Sequence, residues 1–209
     1  MRIVVFGATG MVGTCVVSEA SARGHDVVAV SRRGAGQGTA TVVTVSVDAS
    51  DQARVRELLH TADVAVSAVR PRAGEEASVP ATTTALLDAA AGTGTALLLV
   101  GGAGPLSSPD ASDALVIDDE RYVPAPWRSS AVASLAQLRA CEGHGAAWTY
   151  LSPPAVLEPG ARTGTYRRGT TTLLVDGAGR SRISAEDLAV AVLDEVENPG
   201  DSRHLTVAY

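Results

Sequence analysis

The chain begins with a short apolar run, RIVVF (2–6), that leads directly into a glycine-spaced segment, GATGMVG (7–13). Gly7, Gly10 and Gly13 recur at every third position, where the apolar run ends and a helical pattern begins. Glycine at these points permits a tight turn and close packing of a helix against the preceding strand. The same turn lets the backbone approach a pyrophosphate, whose charge suits a helix amino terminus. The segment therefore predicts a strand–turn–helix unit that binds a dinucleotide, the alternative being a turn that merely tolerates glycine.

Apolar runs and helical patterns alternate along the rest of the chain. Valine- and leucine-rich runs that are nearly continuous are typical of strands buried on both faces of a parallel sheet. The runs are residues 2–6, 26–30, 63–69 and 95–100, with 41–47 as a more polar edge strand, 146–152 as a sixth strand and 203–209 as the last. Helical patterns cover residues 11–23, 51–60, 78–92, 129–143 and 184–197, the last opened by Ser184 and Asp187 as in a capping box. This order predicts an α/β fold, a Rossmann-like doubly wound parallel sheet flanked by helices.

The length and the lack of a long linker predict one domain over residues 1–209. Segment 153–182 begins in a proline- and glycine-rich stretch, and we expect it to form a small carboxyl-terminal lobe on the substrate side of that domain. No apolar run approaches the roughly 20 residues that cross a bilayer. Because a strand pattern begins at once, without the features of a signal peptide, we expect a cytoplasmic protein.

Charge and residue types argue against several classes of partner. The net charge is −6 and no basic surface dominates, which argues against nucleic acid. All 17 basic residues are arginine, so Schiff-base chemistry on lysine is excluded. Cys15 and Cys141 are far apart and are expected to be free, and the 4 histidines show no metal-ligand spacing, so no metal is predicted. We expect a small-molecule substrate, no membrane partner, and a monomer or homodimer.

The residues after the second apolar run bear on which nicotinamide dinucleotide is bound. An NAD-preferring site carries Asp or Glu about 20 residues after the glycines, where it binds the ribose 2′-hydroxyl. Here the run ends in Ser31, Arg32 and Arg33. Arginine binds a 2′-phosphate through charge-assisted, often bidentate contacts, so NADP(H) is favoured over NAD(H). Arg32 is the first candidate for the phosphate and Arg33 for stacking on the adenine; the alternative is a pair of solvated loop arginines.

Further candidates lie where the other strands end, because ligands bind at the carboxyl ends of the strands in such sheets. Asp48 is placed to accept the adenine amino group, or else to cap the helix that follows it. The end of the fourth strand and the segment VGGAG (100–104) should lie along the diphosphate, the ribose and the nicotinamide. The predicted cofactor-binding residues are Gly7, Thr9, Gly10, Met11, Val12, Gly13, Ser31, Arg32, Arg33, Asp48, Ala68, Val69, Arg70, Gly101, Gly102, Ala103, Ser152, Pro153 and Pro154.

Segments across nearly the whole chain carry a resemblance to a known family. They are FGATGMVG, SRR, VGGAG, WTYLSPPAVLEPGARTGTYRRG and SRISAEDLAVAVLDEVE. The chain resembles the atypical short-chain dehydrogenase/reductases of the NAD(P)H-binding, NmrA-like kind, and most of all the small bacterial members and the flavin reductase/biliverdin reductase B type. The resemblance implies a Rossmann fold, NADPH binding and a short carboxyl-terminal lobe over the nicotinamide. These families include reductases, isomerases and redox-sensing regulators, so the resemblance leaves the substrate open.

The chain departs from the catalytic pattern of short-chain dehydrogenases, a Tyr-x-x-x-Lys pair with a serine. Tyr122 is followed four places later by Pro126, no lysine exists, and the fifth strand ends in GGAG where the serine is expected. Pro124 and Pro126 break any helix that would display Tyr122. A phenol is a poor acid unless a nearby cation lowers its pKa. We therefore expect Tyr122 not to be catalytic.

Hydride transfer to a flat acceptor depends on positioning more than on a dedicated acid. The expected function is NADPH-dependent transfer of hydride to a small conjugated, carbonyl or flavin-type acceptor, with solvent as proton donor. The alternatives are a non-catalytic NADP(H)-sensing regulator and a redox-neutral isomerase or tailoring enzyme of a biosynthetic pathway. The catalytic candidates are Ser107, Trp127 and Arg128, with Tyr122 doubtful. Further substrate-side candidates are Arg70, Pro105, Ser152, Pro153, Pro154, Arg162, Tyr166, Arg167 and Arg168, with Trp127 as a stacking lid or else a surface tryptophan.

Overall fold

Helices and strands alternate along the chain in the predicted order. The computed structural model describes residues 1–34, 38–111 and 113–209. The strands are β1 (Arg2–Phe6), β2 (Asp26–Ser31), β3 (Val42–Ser46), β4 (Val64–Ser67), β5 (Ala96–Val100), β6 (Trp148–Ser152), β7 (Val156–Glu158), β8 (Arg167–Gly169), β9 (Arg182–Ser184) and β10 (His204–Ala208). The helices are α1 (Met11–Ala22), α2 (Gln52–Leu59), α3 (Val79–Thr93), α4 (Arg128–Glu142) and α5 (Ala185–Glu197).

Eight of these strands form one sheet in the order β3-β2-β1-β4-β5-β6-β10-β8. Their pairing is parallel from β3 to β10, and β8 then runs antiparallel to β10. The strand order reverses at β1, because β2 and β3 lie on one side of it and β4 on the other. Such a reversal leaves a crevice beyond the carboxyl ends of the strands. The Rossmann-like, doubly wound sheet is confirmed, and β3 is an edge strand as predicted.

Apolar side chains pack on both faces of the sheet, which explains why the strand sequences are nearly continuous apolar runs. Along β1, Ile3 and Val5 belong to the core under α1 and α5. Val4 and Phe6 belong to the core under α2, α3 and α4. All four side chains are at most 1% exposed. The two cores anchor the helices and hold the carboxyl ends of the strands in place.

The segment predicted as a lobe, 153–182, divides between two places. β7 pairs with β9 outside the main sheet, and β8 extends the main sheet beside β10. Beyond β8 the chain folds back onto the loop between β5 and α4, where Leu173 packs in one buried cluster with Leu106 and Val116. Ser107 also forms isolated β-bridges, one with Leu115 of the loop and one with Thr172 of the segment beyond β8. The β5–α4 loop is therefore the packing partner of the residues that follow β8, a pairing that the proline and glycine content does not reveal.

The two cysteines are free thiols. Burial raises the pKa of the Cys141 thiol to about 12, and burial also raises that of Cys15. Both side chains are therefore protonated and act as small packing groups. Within the described ranges, no His, Cys, Asp and Glu side chains form a group of three that could hold a metal ion. No helix in this part of the chain is both long enough and apolar enough to span a bilayer.

Candidate functional site

A cleft of about 290 Å³ opens where β1, β2 and β4 end. It brings together a large share of the predicted cofactor residues, namely Gly7, Thr9, Gly10, Ser31, Arg32, Asp48, Ala68, Val69 and Arg70. Sequence reasoning missed Glu75, Ser78 and Thr82, which line the same cleft from the turn after β4 and the first turn of α3. These three residues line the cleft because that turn folds back toward β2, and no local pattern in the sequence predicts this course of the chain.

The physical reason for glycine differs among the three positions of the first turn. Gly7 has φ +78°, and a Cβ there would lie 2.5 Å from the carbonyl oxygen of Ala68. A Cβ on Gly13 would lie 2.1 Å from the carbonyl oxygen of Gly7. These two glycines are required for the turn and for packing α1 on the sheet. A Cβ on Gly10 would meet the Gly7 carbonyl at 3.3 Å, so Gly10 is under less packing pressure, and it is exposed in the cleft.

The amino terminus of α1 indicates which ligand group could occupy the space beside Gly10. Its N-cap is Gly10, and among the described residues no side chain caps it and no acid lies in its first turn. Asp51 caps α2 and Ser184 caps α5 by accepting hydrogen bonds from backbone N–H groups, whereas α3 and α4, like α1, have no side-chain cap among the described residues. The first N–H groups of a helix need acceptors, and the helix dipole favours an anion there. The end of the cleft at α1 therefore fits a diphosphate.

A second group with unused hydrogen-bonding capacity lies at the end of β2. Ser31 is 7% exposed, and its hydroxyl oxygen has no hydrogen-bond partner within residues 1–34, 38–111 and 113–209. Leaving a buried hydroxyl unpaired costs free energy, so an acceptor supplied by a ligand would be stabilised there. The next side chain, Arg32, is exposed and lines the same cleft. A hydroxyl beside a guanidinium is a donor set that fits a phosphate.

Asp48 lines the cleft at the end of β3, as the adenine contact requires. Its carboxylate accepts hydrogen bonds from the Ser50 backbone at 2.9 Å and the Ser50 hydroxyl at 2.7 Å. These bonds, and to a smaller extent the charge of Arg32, lower the pKa of Asp48. The alternative role of Asp48 as a cap of the next helix is wrong, because Asp51 caps α2.

The remaining predicted cofactor residues lie outside the residues that line this cleft. Met11, Val12 and Gly13 form the first turn of α1, and Arg33 is exposed after Arg32. Gly101, Gly102 and Ala103 follow β5 and are half-buried. Ser152, Pro153 and Pro154 are buried at the end of β6.

The glycines of VGGAG make room for neighbouring side chains and for α4. A Cβ on Gly101 would lie 1.9 Å from the Tyr150 hydroxyl, and one on Gly104 would lie 2.8 Å from the carbonyl oxygen of Ala131. The Tyr150 hydroxyl in turn donates to the backbone oxygen of Ser134 at 2.9 Å. Close packing therefore accounts for glycine here, and contact with the nicotinamide stays a prediction.

Ser152 is fully buried at the end of β6. Its hydroxyl oxygen lies 2.9 Å from Nε2 of His204. Burial lowers the pKa of His204, which keeps the imidazole neutral at neutral pH. The Ser152 hydroxyl is thus hydrogen-bonded within the protein. A ligand would contact Ser152 through its backbone groups.

Trp127 lies beside the end of the cleft that Arg70 marks. The Arg70 guanidinium sits over the indole at 5.8 Å from its centroid, and the side chain of Trp127 is 56% exposed. Arg128 next to it donates to the carbonyl oxygen of Ile117 at 2.8 Å and lies 3.2 Å from Asp118. An exposed indole with a cation on it offers a stacking surface for a flat molecule.

Tyr122 has a neighbouring cation that sequence reasoning did not find. The guanidinium of Arg121 lies 5.2 Å from the centre of the Tyr122 ring. That charge is already paired, because Arg121 binds Asp119 at 2.6 Å and Asp110 at 2.8 Å. The Tyr122 hydroxyl donates to the carbonyl oxygen of Gly179 at 3.3 Å. The phenol is therefore occupied in holding two loops together.

Two of the other substrate-side candidates, Ser107 and Pro105, lie in the β5–α4 loop. Pro105 is buried, and the backbone of Ser107 bonds to Thr171 and Leu173. Three arginines and one tyrosine considered for the substrate also bind groups of the chain itself. Their partners are Glu19 for Arg162, the backbone oxygens of Tyr209 and Val175 for Arg167, Glu195 for Arg168 and Asp194 for Tyr166. These four side chains fasten the segment after β7 to the rest of the domain.

Comparison with known proteins places the chain beside nicotinamide-dinucleotide proteins. Residues 7–199 match the model of an NAD(P)H-binding family. A protein of Burkholderia pseudomallei proposed to be exported is 37% identical, with a TM-score of 0.89 over 100% of both chains. A proposed epimerase of Bacteroides thetaiotaomicron is 31% identical, with a TM-score of 0.89 over 100% of this chain and 96% of that one. A proposed NADH-flavin reductase of Streptococcus pneumoniae TIGR4 is 25% identical, with a TM-score of 0.87 over 100% of this chain and 99% of that one.

Proposed function

Because the chain belongs to the NAD(P)H-binding family of atypical short-chain dehydrogenase/reductases, we propose that it is an NADPH-dependent reductase. An oxidoreductase role is the general function that this family supports. The finer proposal is hydride transfer to a small conjugated, carbonyl or flavin-type acceptor. The observation that carries it is the cleft itself, which is lined by Gly10 at the end of α1, by Arg32, and by Ser31, whose buried hydroxyl has no partner among the described residues.

The diphosphate, the 2′-phosphate and the adenine of a dinucleotide would each have a matching group along this cleft. The diphosphate would accept hydrogen bonds from the first N–H groups of α1, over Gly10. The 2′-phosphate would accept from the Ser31 hydroxyl and the Arg32 guanidinium, and the adenine would lie against Asp48. The nicotinamide would then lie beyond Arg70, toward the loop after β5. When bound, NADPH supplies the hydride.

The protein's part in the reaction is to hold a flat acceptor close to the nicotinamide. Trp127 offers the stacking surface, and Arg70 adds a positive charge that favours an anionic or electron-poor molecule. Reduction of the acceptor by two electrons requires one hydride and one proton. We assign the proton to solvent, since the Tyr122 hydroxyl is bonded to Gly179 and the nearby Arg121 charge is paired. Positioning then supplies the rate enhancement.

The test is consumption of NADPH against a panel of flavins, quinones and enones, beside calorimetry with NADPH and NADH. Binding of NADPH with turnover of a flat acceptor is the expected result. Binding without turnover of any acceptor would instead support a non-catalytic sensor of NADP(H). Failure to bind either dinucleotide would overturn the proposal entirely.

Two other functions have a specific observation in their favour. The missing Tyr-Lys pair and serine favour the NADP(H)-sensing regulator, because a sensor needs no proton donor. The likeness to a proposed epimerase favours the redox-neutral isomerase or tailoring enzyme, in which bound cofactor shows no net consumption. We further propose a cytoplasmic monomer or homodimer that acts on small molecules and binds neither nucleic acid nor membranes.

A further inference from the structure

We propose that Glu75 controls the choice between NADPH and NADH by opposing the 2′-phosphate and by accepting a hydrogen bond from the free 2′-hydroxyl of NADH. This inference rests on the proposed function, since it assumes that the cleft holds a nicotinamide dinucleotide. It assigns a specificity role to a residue that lies outside the usual position for one, the end of the second strand.

Glu75 is held at the cleft by the turn that follows β4. Its backbone N–H donates to the carbonyl oxygen of Arg72 at 2.9 Å. Its own carbonyl oxygen accepts from the N–H of Ser78 at 2.9 Å and from the Ser78 hydroxyl at 2.7 Å. Two consecutive turns therefore fix the backbone on both sides of Glu75 immediately before α3 begins.

The strand order explains why this turn meets Arg32. β2 and β4 flank β1 in the sheet, so the chain segments that leave their carboxyl ends rise on either side of the glycine turn. Across that gap a Glu75 carboxylate oxygen lies 3.9 Å from an Arg32 guanidinium nitrogen, and the other oxygen lies 3.7 Å from Arg72. Arg32 and Glu75 both line the cleft, and 47% of each side chain is exposed.

A 2′-phosphate at Arg32 must therefore share that arginine with a carboxylate. A phosphate monoester carries about −1.5 to −2 charges at neutral pH, so it is repelled by Glu75 while Arg32 attracts it. NADH has no phosphate at this point, and its 2′-hydroxyl can donate to the carboxylate, as it does to the acid of NAD-preferring sites. Glu75 thus lowers the ratio of NADPH to NADH affinity that Ser31 and Arg32 would otherwise produce.

The experiment measures the dissociation constants of NADPH and NADH for Glu75→Gln by calorimetry. Glutamine keeps the size of the side chain and removes its charge, so NADPH should bind about five- to tenfold more tightly at low salt. The NADH affinity should stay equal or fall by about two- to threefold. The gain for NADPH should shrink as the salt concentration rises, because the repulsion is between partly exposed charges.

Two further variants separate this role from a change in overall charge. Glu76→Gln removes the same charge one residue away, at a side chain that is not among those lining the cleft, and should shift neither constant by more than about twofold. Glu75→Asp keeps the charge and should keep most of the wild-type discrimination. Both variants should melt close to the wild-type temperature.

The outcomes distinguish this inference from the proposed function. An unchanged ratio of NADPH to NADH affinity in Glu75→Gln, with both dinucleotides bound by the wild type, overturns the role of Glu75 and leaves the proposed function standing. An equal shift in Glu76→Gln overturns it as well, because the effect would then be one of overall charge. A wild-type protein that binds neither dinucleotide overturns the proposed function and this inference together.

Discussion

The two ends of the proposed cofactor path differ in how much of their hydrogen-bonding capacity is used by the protein itself. Around β1, β2 and β4, which we call the open end, α1 has no side-chain cap and the Ser31 hydroxyl has no partner among the described residues. Around β5 and β6, which we call the closed end, Ser152 is bound to His204, and neighbouring atoms occupy the space beside Gly101 and Gly104. Both ends carry sequence motifs that suggest a cofactor, and the Thr206 hydroxyl beside Ser152 also lacks a partner among the described residues; the first end differs because its unpaired residue, Ser31, lines the cleft together with Arg32.

The difference shows that a motif is informative about binding when its polar groups are left without partners. Glycine after β1 occurs both for packing, at Gly7 and Gly13, and beside open space, at Gly10. Glycine after β5 is explained by packing at Gly101 and Gly104. A buried polar group without a partner is costly, and where its residue lines a cleft, as Ser31 does, a bound ligand could supply the partner.

The largest expected effect tests the open end of this comparison. Gly10→Val should abolish NADPH binding while the protein still folds, because the side chain would stand where the diphosphate meets α1. The affinity should fall at least about a hundredfold, or roughly 2.7 kcal/mol. Calorimetry measures the loss, and circular dichroism checks the fold. Gly13→Val is the matched control, since its Cβ would collide with the Gly7 carbonyl and destabilise the protein itself. Near-normal NADPH affinity in folded Gly10→Val would exclude a diphosphate at this turn.

Arg32→Ala should have the next largest effect, and it should act on one dinucleotide. Losing one charge-assisted contact costs about 1.5–3 kcal/mol, which is roughly a ten- to hundredfold weaker affinity for NADPH. NADH should change far less, because it lacks the 2′-phosphate. Calorimetry with both dinucleotides decides, with Arg54→Ala as a control at an exposed arginine away from the cleft. Equal losses for NADPH and NADH would contradict the role of Arg32.

The overall fold and the open end of the cleft could be predicted from the sequence because their signals are local. Apolar runs and the helical patterns between them predict, to within a few residues, the five α-helices and seven strands of the main sheet that the described residues form. β7, β8 and β9 were missed, since each has three residues and too few positions to show a period. Glu75 was missed for another reason: its contact with Arg32 joins segments that follow two different strands. Contacts of that kind depend on the tertiary fold.

A smaller effect is expected from Arg162, and it should be on stability. Arg162 binds the buried carboxylate of Glu19 through two nitrogens, at 2.7 and 2.8 Å. Arg162→Ala should lower the melting temperature by only a few degrees, since half of this side chain is exposed to screening by water. KM for the acceptor should not change. A raised KM at an unchanged melting temperature would instead make Arg162 a substrate residue.

The same ion pair predicts a dependence on pH. The hydrogen bond from Arg162, with a further one from Arg23, lowers the pKa of Glu19 from 4.5 to about 2 against the opposing effect of burial. Because the folded pKa is the lower one, the stabilisation is complete above pH 4.5 and is lost as the pH falls toward 2. We expect the free energy of unfolding, measured with denaturant across this pH range, to fall less with decreasing pH in Glu19→Gln than in the wild type.

The smallest expected effect concerns the proton at the closed end. Tyr122→Phe should change kcat by less than about twofold, because the hydroxyl bonds to Gly179 and the charge of Arg121 beside it is balanced by Asp119. A general acid contributes about 10²–10⁴-fold, so a solvent-derived proton and a tyrosine proton are well separated in a rate measurement. Trp127→Ala is the contrasting variant, and it should raise KM for a flat acceptor by about two- to tenfold with kcat little changed, since stacking acts on binding. A hundredfold fall in kcat for Tyr122→Phe would show that the phenol is the acid and that the closed end is also a reacting one.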